Sequence, residues 1–199
     1  MKLLYIGRFA EQKNNLALLG IINELILMNI DFTLDVFGDS ESVDKDGIAI
    51  KHKFLDLAQK YLSKVKYHGF QPNNIIFKNE YHFLLLPSFW EGFPVVMLEA
   101  AHRSVIPVCS DILTGPREFI SNIKSYDTKI NYPFIGCGGV LMKCPVNFQD
   151  YLDWAKLLKM TFDDKNYFET LKKIVFDHSN KFSFEQYKIS WENCLDNFI

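Results

Sequence analysis

Four consecutive apolar residues, Phe83-Leu84-Leu85-Leu86, run directly into a Pro/Ser/Gly-containing turn and then into a helical pattern that opens at Pro94. Side chains alternate between the two faces of a strand, so a strand apolar at every position must be covered on both faces. The rest of the chain repeats the arrangement. Short apolar strands over residues 3–6, 32–37, 65–68, 83–86 and 106–110 alternate with helical patterns over 15–28, 53–62 and 94–103 and with a short helix from Pro116. In 15–28 the apolar residues fall at 16, 18, 19, 22, 25 and 26, one face of a helix. A last strand is expected within 136–142, and helices near 148–163, 165–177 and 183–197 close the chain. Such alternation predicts right-handed βαβ units: an α/β, Rossmann-like parallel sheet with helices on both faces.

The 199 residues suffice for one large domain that buries roughly 70% of its unfolded surface. A net charge of −2 gives no global field for nucleic acid, so no nucleic-acid partner is expected. No apolar stretch approaches the ~18 residues of a membrane span. The cysteines, Cys109, Cys137, Cys144 and Cys194, form no CxxC pair and have no His at ligand spacing, which favours a reduced, cytoplasmic protein without structural zinc. The five histidines (His52, His68, His82, His102, His178) are scattered, and neither GxSxG nor GxGxxG occurs. Met1-Lys2-Leu3-Leu4-Tyr5-Ile6-Gly7 is too short for a signal peptide and reads as a strand that starts at once, as if an upstream part had been removed.

In open parallel sheets ligands bind beyond the carboxyl ends of the strands. Those ends carry Gly7-Arg8, Gly38-Asp39, Gly69-Phe70, the turn from Pro87 to Gly92, and Ser110-Asp111. The turn before Pro94, read as the first helical residue, offers free backbone N–H groups and a helix dipole to an anion. Two acids flank it, Glu91 and Glu99. Carboxylates accept hydrogen bonds and repel phosphate, so a ligand with both phosphate and hydroxyls, such as a nucleotide-sugar, suits this combination. Arg8 and Lys13 could converge on a diphosphate, or be two solvated loop charges. Glu99 shares a helix face with Val95, about 6 Å along the axis, and could meet a ribose or simply face solvent. Glu91 also fits a loop acid or an N-terminal cap. Phe89, Trp90 and Phe93 read as loop anchors, or as an apolar wall for a base or sugar. Thr114-Gly115-Pro116-Arg117-Glu118 is turn chemistry with Pro at the helix start.

These residues occur in the order of a known family: Gly7-Arg8-Phe9, Lys13-Asn14, Phe37-Gly38-Asp39, His68-Gly69-Phe70, Leu86-Pro87-Ser88, Glu91-Gly92-Phe93-Pro94 to Glu99-Ala100, and Ser110-Asp111 to Glu118. Over residues 2–145 the chain resembles the C-terminal, donor-binding domain of GT-B glycosyltransferases of the retaining group 1 (family 4) type. The resemblance implies half of a GT-B fold, with residues 1–180 as the nucleotide-sugar domain and a C-terminal helix over 181–199 packing on an N-terminal acceptor domain that these residues do not supply. It implies a hexosyltransferase in which Arg8 and Lys13 bind the donor diphosphate and act with Glu91 in catalysis. Glu91 with the Gly92-Phe93-Pro94 backbone would hold the sugar hydroxyls, and Glu99 the ribose. Gly7, Gly69, Phe70 and Val95 complete the expected donor site. No metal or other cofactor is expected. The Thr-Gly-Pro-Arg-Glu variant suggests bacterial surface polysaccharide or lipopolysaccharide synthesis, with peripheral association of the full-length enzyme at the inner face of the membrane. Two departures stand out: Arg103-Ser104 replaces the Gly that normally ends the helix after Glu99, and 125–137 is long enough to be a mobile loop. The expectation is donor binding without efficient transfer by a truncated product. A non-catalytic nucleotide-binding or interaction module, and a fragment of a GT-B nucleotide-sugar epimerase, are the competing readings.

Overall fold

A computed structural model of the chain describes every residue except 42, 79, 124–127, 184, 187, 190 and 193–199. Seven strands form one sheet: β1 (Lys2–Ile6), β2 (Thr33–Phe37), β3 (Val65–Gly69), β4 (Phe83–Leu86), β5 (Ile106–Ser110), β6 (Phe134–Gly136) and β7 (Gly139–Met142). Their order is β3-β2-β1-β4-β5-β7-β6, and every pairing is parallel except β6 with β7. The helices are α1 (Asn15–Leu27), α2 (Lys45–Ala58), α3 (Asn73–Ile76), α4 (Val95–Ala101), α5 (Gly115–Ser121), α6 (Phe148–Asp163) and α7 (Lys165–Ser179). On one face α1 packs against α2 and α6; on the other α4 packs against α7, and His178 of α7 reaches the Phe119 carbonyl of α5 at 2.8 Å. β4 is buried at all four positions, as its unbroken apolar run requires.

Strand order reverses between β1 and β4, so the crevice between their following loops is the topological switch point. The loops over 7–14 and 87–94 therefore face each other across it.

Several expectations need correction. The helix read over 53–62 begins eight residues earlier, at Lys45, where the Asp44 side chain caps it by accepting from Gly47 N at 2.9 Å. Pro94 is the N-cap of α4 rather than its first residue (φ −71, ψ 102). The strand expected within 136–142 is β7, and Cys137-Gly138 joins it to a further strand, β6, which lies antiparallel at the sheet edge. Residues 134–136, expected in a mobile loop, are thus a strand, and 125–127 lie outside the described residues. Most of the helix expected over 183–197 also falls outside them, as does Cys194. Cys109, Cys137 and Cys144 are free. Among the described residues no helix is long and apolar enough to cross a membrane.

Candidate functional site

Gly7 ends β1, and the chain then bends across the top of the sheet. Gly7 N donates to Phe37 O at 3.0 Å and Phe9 N to Asp39 O at 3.1 Å, which ties this loop to the one after β2. The two loops touch at Gly38, where φ is +126 and a Cβ would lie 2.0 Å from the Gly7 carbonyl oxygen. No other residue fits there. Two buried side chains brace the loop from beneath. Asn15 Nδ2 donates to Tyr5 Oη (2.7 Å) and to Arg8 O (3.2 Å), while Asn15 Oδ1 accepts from Ala10 N (3.2 Å). Burial, reinforced by the negative charge of Glu91, pushes the Tyr5 phenol far up, so it stays a neutral donor to Arg8 O.

The loops after β1 and β4 are joined by both backbone and side chains. Phe89 N donates to Gln12 O and Gln12 Nε2 to Trp90 O, each at 2.8 Å. Lys13 Nζ lies 2.6 and 2.8 Å from the two carboxylate oxygens of Glu91, and Ser88 Oγ donates to the same carboxylate at 2.7 Å. This pair is largely desolvated, with side chains 17% and 6% exposed. Asn14, in the left-handed region at φ 49, donates to Pro87 O (3.1 Å) and Pro145 O (2.9 Å), which adds the segment before α6. Arg8 takes another direction: its guanidinium pairs with Glu41 of the β2–α2 loop. The two cations thus rise from one loop, as expected, yet each is held by an acid from a different neighbouring loop.

The remaining expected residues line the same edge. Gly92 is exposed, and a Cβ there would meet open space. The carbonyl of Glu91 accepts from the Thr114 hydroxyl. Gly115 sits directly beneath Gly92: an added Cβ would lie 2.2 Å from Gly92 O and 2.6 Å from Phe93 Cα. Alanine at Gly115 must therefore lift the 91–93 loop. It is expected to cost about 1–3 kcal/mol in a urea melt, and an unchanged midpoint would show that the loop is not seated there. Phe93 stands edge-on to Phe119 (6.2 Å), Pro94 is buried, and Val95 is 62% exposed. Glu99 follows Val95 by one turn of α4 and lines a cavity of ≈340 Å³ with Leu98, His102 and Arg103. Ser104 adopts φ 57 and so supplies the left-handed residue that ends this helix without Gly. Gly69 ends β3 at φ +67 and its carbonyl accepts from Gly38 N (2.8 Å); the neighbouring Phe70 is 76% exposed.

Residues 1–130 match the model of a family described as Glycosyl transferases group 1. The chain belongs to that family. It is 29% identical over 140 residues to an uncharacterized glycosyltransferase of Methanocaldococcus jannaschii, a match that covers 69% of this chain and 32% of the relative. Its fold is that of the pneumococcal O-GlcNAc transferase GtfA, solved with UDP and GlcNAc (TM-score 0.74, 16% identity, 98% of this chain, 35% of that one). Sucrose-phosphate synthase from Thermosynechococcus elongatus matches at TM-score 0.73 and 18% identity, over 99% of this chain and 45% of the synthase. Anabaena HepE, solved with UDP, matches at TM-score 0.72 and 16% identity, over 98% of this chain and 48% of HepE. The chain thus spans a third to a half of the length of these relatives, and its sheet has the Rossmann-like fold of GT-B glycosyltransferase domains.

Within the group 1 motifs, sequence reasoning missed three features. Asn14 was visible as a motif residue but had no assigned task, because its two carbonyl partners come from segments 73 and 131 residues away. Glu41 carries no pattern of its own. Arg117 read as turn chemistry, yet it forms a two-point ion pair with Asp111 (Nε to Oδ1, 2.8 Å) and donates to Thr128 O at 3.1 Å. Tyr132 Oη also donates to Asp111 (2.6 Å), and burial together with that carboxylate pushes the Tyr132 phenol up to about 12. A larger groove of ≈850 Å³ runs along α6, lined by Tyr132, Met142, Trp154 and Met160. Two ion pairs lie within its lining, Lys143–Asp150 at 2.8 Å and Lys159–Asp163.

Proposed function

We propose that this chain is the C-terminal, donor-binding domain of a retaining GT-B glycosyltransferase of the family 4 type, and that it binds a nucleotide-diphosphate sugar without a metal. The observation that carries the reading is the desolvated Lys13–Glu91–Ser88 cluster at the β1/β4 switch point, with Arg8 on the same loop. A cation and a hydroxyl-accepting carboxylate stand side by side there, next to the open space over Gly92. A sugar diphosphate needs that pairing: the phosphate against Lys13 and Arg8, the hydroxyls against Glu91 and the 92–94 backbone. As the bond to the leaving diphosphate breaks, negative charge grows on its oxygens, and fixed cations stabilise that charge without reorganisation. The two cations take the part that a metal plays elsewhere. Glu99 would serve the ribose, and Gly69-Phe70 the base.

The acceptor falls to a second domain. For a surface polysaccharide, the full-length enzyme would meet its acceptor at the inner face of the membrane. Complexes with UDP among the structural neighbours make uridine nucleotides the first probes. Calorimetric titration with UDP, GDP and their sugars, with and without EDTA, tests the reading. Saturable heat that is stronger for diphosphates than for nucleosides and indifferent to EDTA is expected. Absence of saturable heat with every nucleotide would favour an interaction module and overturn the assignment.

A further inference from the structure

The two strand-end cations differ in how tightly their acids are held. Glu91 is 94% desolvated in its side chain, contacts Lys13 through both oxygens and has Ser88 as a second donor. It is built into the site. The Arg8–Glu41 pair is open to solvent, with side chains 53% and 55% exposed. Its position is nevertheless prepared. Gly7 N and Phe9 N bind the β2–α2 loop at Phe37 O and Asp39 O, and Asp44 N donates to Glu41 O at 3.0 Å just before the capped start of α2. Within that loop Asp39 is separately occupied by Lys51 at 2.6 Å, which leaves Glu41 as the acid directed at Arg8.

We propose that Glu41 is a specificity gate on the donor site: its carboxylate occupies the Arg8 guanidinium in the free protein and is exchanged for a phosphate when a nucleoside diphosphate binds. The inference rests on the reading of Arg8 as a diphosphate ligand. A guanidinium presents a planar fork that fits a carboxylate and a phosphate in the same way, so the two compete for one set of donors. An exposed pair shifts an equilibrium by no more than a few-fold, weak enough for a doubly charged phosphate to displace and strong enough to disfavour weak anions. Exchange of partners at Arg8 releases the Glu41 side chain alone, since the β2–α2 loop stays tied to the site edge through Gly7 N and Phe9 N.

The test uses four proteins: the parent chain, Glu41→Gln, Arg8→Gln and the double variant, each titrated with UDP by calorimetry at low and high salt. Glu41→Gln is expected to bind UDP about 2- to 5-fold more tightly at low salt, with the gain reduced at high salt, where surface charges are screened. In the Arg8→Gln background the same substitution should yield no gain. An unchanged or weaker affinity of Glu41→Gln overturns the gate. Equal gains in both backgrounds also overturn it, since they would report general repulsion of the anion rather than competition for Arg8. Equal binding by the parent chain and Arg8→Gln would overturn the phosphate role of Arg8. Loss of saturable binding in all four proteins, with UDP and with GDP, would overturn the nucleotide reading itself.

Discussion

Alanine in place of Lys13 is expected to impair folding stability and diphosphate binding together, and a second substitution should separate the two. Removal of the ammonium strips both of its contacts from a Glu91 carboxylate that is 6% exposed in the intact pair, and leaves the Ser88 hydroxyl as its donor. Breaking a buried pair on one side costs about 3 kcal/mol, because the partner charge stays out of water. For a domain of this size that corresponds to a fall in Tm of roughly 6–12 °C. Diphosphate affinity should drop about 10- to 100-fold, the worth of a charge-assisted hydrogen bond, while nucleoside binding changes little. In Lys13→Ala/Glu91→Gln the uncompensated charge is gone and the amide oxygen still accepts from Ser88, so the melting temperature should recover. UDP affinity should not. Equal losses for diphosphate and nucleoside in the single variant would sink the phosphate assignment, and recovery of UDP affinity in the double variant would sink it as well.

The second large effect is expected at Arg117. Its guanidinium and the Asp111 carboxylate form a two-point pair beneath the β5–α5 turn, with side chains 8% and 1% exposed. Arg117→Met should cost about 3–5 kcal/mol, since Asp111 would keep a buried charge satisfied mainly by the Tyr132 hydroxyl. Pairing it with Asp111→Leu should restore much of that loss, because an apolar pair of similar volume avoids desolvation altogether. Urea melts of the parent and the three variants measure the coupling. Additive losses would mean that the pair contributes no interaction energy. The single variant should also lose the anchor at Thr128 O.

The sheet was legible in the sequence wherever an element carried its own hydrophobic signature. β4 and β5, buried on both faces, and α6, with bounds at 148 and 163, have periodicities that depend on few neighbours. α2 was read too short because its first turns, Lys45-Asp46-Gly47, bury only the glycine backbone and show no apolar stripe; the Asp44 cap was the available signal. β6 was read as the end of a long loop because Phe134-Ile135-Gly136 is too short to show an alternation of its own. A two-residue turn is visible in sequence only when strands of clear alternation flank it.

The candidate site divides along the same line. From sequence alone came the residue types and their places at strand ends: Arg8 and Lys13 after β1, Glu91 and Gly92 after β4, Glu99 one turn into α4. Those follow from local chemistry, since strands, turns and caps are set by residues near one another in the chain. Tertiary structure alone decided the partnerships. Lys13 and Glu91 are 78 residues apart, Arg8 and Glu41 are 33 apart, and Asn14 reaches Pro145 across 131. Which acid meets which cation depends on strand order and loop packing, and no periodicity encodes it. The two acids read from sequence as a hindrance to phosphate therefore stand in different settings: Glu91 is locked to the half-buried Lys13, and Glu99 lies one turn into α4. A third acid, Glu41, occupies the remaining cation because the loops after β1 and β2 are hydrogen-bonded to each other at the edge of the sheet.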